Sequence, residues 1–499
     1  MQRKSIPSLL ILLILLYSIC DANIEYEKKL IDGINHTFNF QFEKAKRIFI
    51  DLSKQNDNDA RSYVYLANIY VIQYLSDKRE KDFSRFEYYS TKAIQTAESA
   101  LKKKWNNKTA LYSLASINGY RTLVFLLAKK YIDGVWAAKK CLGYTDDLLE
   151  LDKNHSDAYL WKGLFDFALS QIPSSAKYVL KIAGIEGNFI SGIRGLQRAS
   201  SEGVLTNPEA KYFLSQIYSS FLNDNHSAEK YLVDLVQLFP KNILFKYSLA
   251  SVKIKLGKME DADELLDEVL QSNNYSFRNV FNLSYFLKGD CAYYRNQFDQ
   301  AKPYYSKFID QYSGEDFKPS AYLRLGISHE LTNQKTNAKY FYRMVIDCKG
   351  ETEDDLYSKK LARDYLNNDI PANQTQIILA KNYFQSKNYE LMKNVLQSNS
   401  SFEMKNHLNY FLGRIDYELN DFNNAIKNFN KVRYTENSFD NWLAPYSKYY
   451  IALSQYVMNR KAEAMRILKS VEDHSDYDFE KQLETWMKSL AFLIDGGPI

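Results

Sequence analysis

Only four cysteines occur among 499 residues, and they are widely spaced, so no disulfide framework can be read from them. Cys141, Cys291 and Cys348 read as buried small hydrophobes at helical positions; a Cys291–Cys348 bridge between neighbouring repeats is the other reading, and spacing does not derive it. Histidine is scarce too. The six, at 36, 155, 226, 329, 407 and 474, form no His-Glu-x-x-His array and share no helical face, which leaves zinc and general-base chemistry without support. His329-Glu330 reads as an ordinary helix position. No Walker-type loop and no Gly-x-Ser-x-Gly elbow is present. Gly257-Lys258 reads as a turn, and the glycines at 184, 187, 192 and 195 follow no strand, as a dinucleotide cradle requires. The net charge of +5 is mild and both signs are interleaved, which gives no case for nucleic acid. Asp146-Asp147 and Glu353-Asp354-Asp355 read as solvated faces. No catalysis, cofactor or metal is expected.

The first 22 residues read as a leader. Arg3 and Lys4 precede an apolar run from Leu9 to Tyr17, and Cys20-Asp21-Ala22 supplies small residues at a cleavage position. Cleavage after Ala22 would send the mature chain to a periplasmic or cell-envelope location, or outside the cell in a non-bacterial source. The minority reading is a lipid anchor at Cys20, against which Tyr17-Ser18-Ile19 stands. No later stretch is long and apolar enough to span a bilayer, so no transmembrane span is expected in the mature chain.

What recurs is a spacing. A Gly or Ala is followed twelve residues later by an Ala, with apolar residues four and seven beyond: Gly33/Ala45/Phe49/Leu52, Ala250/Ala262/Leu266/Val269, Gly289/Ala301/Tyr305/Phe308, Gly326/Ala338/Tyr342/Val345, Gly413/Ala425/Phe429/Val432 and Ala452/Ala464/Leu468/Val471. This skeleton resembles the tetratricopeptide (TPR) repeat, a helix–turn–helix unit of about 34 residues. It implies an all-α fold, a right-handed TPR-type superhelix of helical hairpins whose small faces let paired helices approach closely. The expected organisation is the leader 1–22, divergent helical repeats over 23–205, regular repeats over 206–472, and a capping helix and tail over 473–499. The regular block alternates helices near 208–222, 243–256, 279–295, 319–332, 373–386, 405–419 and 444–458 with partners near 226–238, 260–271, 298–312, 335–347, 389–397, 422–432 and 461–472. In the second hairpin, 76–84 reads as a charged insert between helices. An irregular junction is expected near 155–205, where a helix over 159–169 stops at Pro173. Gly192 and Gly195 fall in a helix over 189–200, and their cost of roughly 1 kcal/mol each relative to Ala points to a close crossing or a bend. The abundant Asn and Lys read as a compositional habit.

Two runs carry a more specific likeness: 133–144, with Gly134, Trp136, Ala137 and Cys141, and Gly163-Leu164-Phe165-Asp166 through Ser170 and Pro173, followed by Gly184, Gly192 and Gly195. The stretch of about 130–220 resembles the middle of the eukaryotic tetratricopeptide-repeat-39 and inclusion-body-clearance proteins. That resemblance implies a helical-repeat protein without established chemistry. The leader departs from those intracellular relatives. Leader plus repeat is similar to exported bacterial TPR proteins, which implies a scaffold or adaptor of the envelope.

Forty tyrosines are the most suggestive functional feature. Counting each repeat from its small residue puts Tyr247, Phe286, Tyr293, Tyr410, Tyr417, Tyr449 and Tyr456 at positions that face the concave side in such repeats, with Asp290 and Arg414 among them. The expected function is therefore non-catalytic protein–protein scaffolding, with a protein or peptide partner on the concave face. Two alternatives stand beside it: that the rings pack between helices, and that the chain binds a carbohydrate or small ligand. The Lys and Asn pattern of carboxylate-clamp repeats is absent.

Overall fold

The computed structural model describes residues 24–172, 187–272, 277–398, 400–435 and 438–496, and among these every regular element is helical. The leader 1–22 with Cys20, and Pro173 and Gly184 of the junction, lie outside the described residues. The chain divides into two compact units, one of residues up to 214 with 234–242, the other of 215–233 with 243–499.

The first unit contains α1 (24–38), α2 (Phe42–Gln55), α3 (Arg61–Asp77), α4 (Glu80–Lys103), α5 (Lys108–Leu127), α6 (Tyr131–Leu151), α7 (Tyr159–Gln171) and α8 (Phe189–Glu202). Helices α9 (Asn207–Ser220) and α10 (Asn225–Leu238) contribute to both units. The boundary expected at 205/206 falls inside the first unit, where Asp157 accepts the backbone N–H groups of Leu205 at 2.8 Å and Thr206 at 2.9 Å. The charged insert expected over 76–84 is mostly helix. Only Lys78, in the left-handed region, and Arg79 separate α3 from α4, and Phe83 is buried against Tyr74 and Phe125. Its single apolar ring among charges is enough to hold the first turn of α4 on the core.

Glycine acts in two ways. In the regular hairpins the glycine of the first helix receives an aromatic ring sixteen residues on: a Cβ on Gly33, Gly289, Gly326 or Gly413 would meet the ring of Phe49, Tyr305, Tyr342 or Phe429 at 2.3–2.7 Å. The expected small-on-small face is thus a small-on-ring face, with the Ala at the twelfth position fully buried beside it. In the α7–α8 pair the backbones themselves meet. A Cβ on Gly192 would lie 2.6 Å from the Phe167 amide nitrogen, and one on Gly163 would lie 2.7 Å from the Gly192 carbonyl oxygen. Gly195 sits over Gly163 in the same crossing. The close crossing expected from Gly192 and Gly195 is present.

The second unit contains α11 (Ile243–Lys255), α12 (Met259–Gln271), α13 (Arg278–Tyr294), α14 (Phe298–Gln311), α15 (Lys318–Leu331), α16 (Lys335–Asp347), α17 (Glu353–Asn367), α18 (Ala372–Gln385), α19 (Tyr389–Gln397), α20 (Phe402–Glu418), α21 (Phe422–Phe429), α22 (Leu443–Val457), α23 (Lys461–Lys469) and α24 (Glu480–Gly496). Many hairpins turn on one left-handed residue, and at Asn223, Asn296, Asn333, Asn420 and Asn459 it is Asn, the side chain that tolerates this conformation best after Gly. The next N–H then reaches back five residues to the first helix, as Gln334 does to His329 and Arg460 to Gln455, both at 2.8 Å. Part of the Asn content is therefore structural rather than compositional.

The regular block is not one continuous run. Helix α17 has no partner helix. It packs on α15 and α16, while α18 begins again and pairs with α19. Two cores result, one centred on Tyr305, Tyr342 and Tyr365, the other on Phe429, Tyr449 and Leu468. Each stack ends on a single covering helix, α17 for the first and α24 for the second. Helix α17 starts at the Thr352 cap, which accepts from the Asp355 N–H at 3.1 Å. Of its acidic start only Asp354 is a solvated position, as expected. Asp355 is fully buried and accepts from the Phe317 N–H and the Ser320 hydroxyl, and Glu353 accepts the N–H groups of Lys481 and Gln482. Asp146 and Asp147 are exposed, as expected.

Candidate functional site

The aromatic stripe does not remain on one open face. Phe286, Asp290, Tyr293, Tyr410 and Tyr449 are all buried. Phe286 packs its ring against Tyr305, Phe308 and Phe317. Asp290 pairs with Arg324 and accepts the Tyr305 hydroxyl at 2.7 Å; burial pushes its carboxyl up, against the pull of Arg324. Tyr293 is covered because α18 folds back onto α13, where Asn382 donates to the Tyr293 carbonyl at 2.9 Å. Gln385, at the end of α18, donates to the Ile254 carbonyl at 2.6 Å. Tyr410 is enclosed by Phe411, Phe429, Trp442 and Tyr450, and Tyr449 by Tyr450 and Trp486. Tyr247 is half-buried against the first core. These inward positions are core positions here because neighbouring helices of the same stack pack on them, and at Tyr293 because α18 does.

Arg414, Tyr417 and Tyr456 do come together. They line a cavity of about 560 Å³ within the second unit, a size suited to a small molecule or a few peptide residues. Its walls come from six places: the end of α9 and the α9–α10 turn (Tyr218, and Leu222 to Ser227), the end of α11 (Lys255, Leu256), Lys387 after α18, α20 (Arg414, Tyr417, Glu418), α22 (Tyr450, Leu453, Tyr456) and Leu493 of α24. The turn is held open by Asn223, left-handed at φ 53°, whose amide donates to the Tyr450 hydroxyl oxygen at 3.0 Å. Asp224 caps α10 by accepting the Ser227 N–H at 3.0 Å and the Ser227 hydroxyl at 2.6 Å.

The charges in this cavity do not cancel pairwise. Lys387 pairs with Glu418 at 2.9 Å, and the Tyr389 hydroxyl donates to the same carboxylate. The Arg414 guanidinium lies over the Tyr450 ring at 4.4 Å and over Phe384 at 5.6 Å. Its nearest carboxylate oxygen is Glu418, at 4.0 Å, and its buried Nε has no hydrogen-bond partner. Lys255 donates to the Ser219 hydroxyl at 2.9 Å.

A second polar cluster lies in the first unit. Glu209, in the first turn of α9, accepts from the Tyr120 hydroxyl at 2.7 Å and the Asn68 amide at 3.1 Å. Burial pushes its carboxyl up to about 7, against both hydrogen bonds.

Lys255, Asn223, Tyr450 and Glu209 carried no sequence signal for these positions. The periodic pattern marks small and apolar residues, and these four are polar neighbours brought together by segments far apart in the chain. Cys141, Cys291 and Cys348 are free thiols. Among the described residues no group of His, Cys, Asp and Glu is placed to hold a metal, and no helix is long and apolar enough to cross a membrane.

Residues 150–313 match the family profile of Iml2/Tetratricopeptide repeat protein 39, and residues 320–347 match a tetratricopeptide-repeat profile. The run 163–173 lies inside the first match, the run 133–144 before it. No curated protein matches the chain. Among solved structures, yeast Tom70 is similar at 14% identity over 95% of this chain and 96% of that one, with a TM-score of 0.27. The human IFIT1 dimer with PPP-AAAA is similar at 12% identity over 90% and 93%, with a TM-score of 0.34.

Proposed function

We propose that this chain, a tetratricopeptide-repeat protein of the TPR-39-like kind in its middle, is a non-catalytic scaffold that holds a protein partner through the Arg414 cavity. The observation that carries this reading is Arg414 itself. A half-buried guanidinium that meets two ring faces and the Tyr410 hydroxyl, with its Nε unpaired and no carboxylate oxygen nearer than 4.0 Å, is costly to a folded chain. Such a group persists most readily where a ligand completes its partners. The leader read over 1–22 supports export, so the partner is proposed to reside in the cell envelope. The experiment is capture from an envelope extract with folded mature protein and with Arg414→Gln. A partner retained by the first and lost with the second is the expected result; no specific partner on folded protein overturns the scaffold. Mass measurement of the mature N-terminus tests export. A start at Asn23 is expected, and a lipidated Cys20 would replace that reading.

The rings of Tyr417 and Tyr456 at the cavity also favour a second reading, a small-ligand-binding repeat protein. Native mass spectrometry of purified protein decides for it if a small molecule is retained.

A further inference from the structure

We infer that the Arg414 cavity selects an acidic side chain flanked by apolar residues, carried on a peptide segment of the partner. This deepens the scaffold reading and rests on it.

Five charged side chains line the cavity: Lys255, Lys387 and Arg414 against Asp224 and Glu418. Lys387 and Glu418 neutralise one another, and both carboxylate oxygens of Asp224 are engaged in capping α10. Arg414 and Lys255 remain, one held by ring faces and one by a hydroxyl. Ring faces and hydroxyls stabilise a cation without cancelling its charge. The cavity also touches the start of α10, where helix N–H groups point outward and the helix dipole adds partial positive charge. All three features attract one anionic group.

The rest of the wall says what that group is attached to. Leu222, Leu256, Leu453 and Leu493 interleave with Tyr417 and Tyr456. A free inorganic anion would leave these apolar surfaces wet. A carboxylate with aliphatic or aromatic neighbours covers them and reaches the terminal N–H groups of Arg414 with charge-assisted hydrogen bonds. This is not the Lys and Asn clamp of carboxylate-binding repeats, which the sequence lacks. Arg414 reaches the cavity from α20, and its charge is set off by the ring of Tyr450 on α22.

The test uses full-length protein and two heptapeptide pools. One has Glu fixed at the centre with apolar or aromatic residues on both sides; the other has Gln at the centre and is otherwise identical. Inorganic phosphate serves as a third probe. Binding is read by calorimetry and by tyrosine fluorescence. The Glu pool is expected to bind at least tenfold tighter than the Gln pool, to weaken with salt, and to outcompete phosphate. Arg414→Gln is expected to abolish the difference between pools, Arg414→Lys to keep part of it, and Lys255→Gln to reduce it severalfold, with helicity and melting temperature checked for each variant. Equal binding of the pools, no binding of either, tighter binding of phosphate, or a preference that survives Arg414→Gln would each overturn the inference. The two levels separate cleanly. A partner captured equally by wild type and Arg414→Gln, with no discrimination between pools, keeps the scaffold and rejects the cavity. Discrimination between pools without any captured partner does the reverse.

Discussion

The α7–α8 crossing and the α15–α16 hairpin both depend on glycine, and they use it oppositely. In α15–α16, Gly326 is a socket for the Tyr342 ring, whose hydroxyl donates to Glu330 at 2.8 Å. In α7–α8, Gly163 and Gly192 are sockets for each other's backbone. A ring can tilt; a backbone amide cannot leave without its helix. The repeat skeleton therefore tolerates variation at its glycines by adjusting the partner ring, while the family-like crossing fixes both helices at once. At 250 and 452 the skeleton carries Ala in place of Gly, and the residue sixteen on is Leu rather than a ring.

Gly192→Val is expected to have the largest effect. Its Cβ collides with the Phe167 amide nitrogen, and the expected cost is about 3 kcal/mol of stability in urea unfolding. Gly326→Ala comes next, at about 1–2 kcal/mol, because the clash with Tyr342 is partly offset by the better helix propensity of Ala. The two glycines should also respond differently to a second change. The cost of Gly326→Ala is expected to shrink in a Tyr342→Leu background, whereas the cost of Gly192→Ala persists in a Phe167→Leu background, since the colliding atoms are not side chain. A shared response would make the distinction void.

A smaller effect separates the units by pH. Glu209 in the first unit has no cationic partner, and its carboxyl is raised from 4.5 to about 7. Between those values the folded chain keeps a proton that the unfolded chain has released, so stability falls as pH rises through that window, by about 1–2 kcal/mol for a group still partly open to water. Glu209→Gln is expected to flatten that slope in melts run from pH 4.5 to 7.5. Asp440 in the second unit behaves in the opposite sense. Burial raises it, but Lys381 at 3.3 Å and His407 at 3.2 Å outweigh burial and hold it well below the usual carboxylate range. Its contribution is complete above the unfolded value and lost as pH falls below about 4. Lys381→Gln is expected to move the acid midpoint upward.

Much of this architecture was legible in the sequence. The spacing from Gly289 to Ala301 and from Gly326 to Ala338 located paired helices to within a residue or two, because small residues must recur wherever two helices are held close. The spacing was silent on α17. Its buried stripe of Asp355, Ser358, Leu361, Ala362 and Tyr365 has helical period, but the first two members are polar and look like surface. They are buried because each finds a hydrogen-bond partner near α15, a long-range fact no local pattern carries. The Thr352 cap ahead of three acidic residues was the available signal. For the site, the residue count from each small position found Arg414, Tyr417 and Tyr456. It also gathered Phe286, Asp290, Tyr410 and Tyr449, which pack against neighbouring helices of their own stacks, and Tyr293, which α18 covers by returning to α13. The cavity's other cation, Lys255, comes from a different stack, and only folding brings it near.

The lone helix α17 acts as punctuation. A helical array grows by whole hairpins, and each added hairpin leaves the same kind of sticky face at its end. With α17 in place the first array has a full stop, bolted by Asp355 to the hairpin before it. Duplication of a hairpin upstream of α17 lengthens that array without changing its ending. An insertion downstream extends the second array and leaves the first at its present length. The two arrays still touch where α18 lies on α13, so a hairpin added to either must preserve that contact.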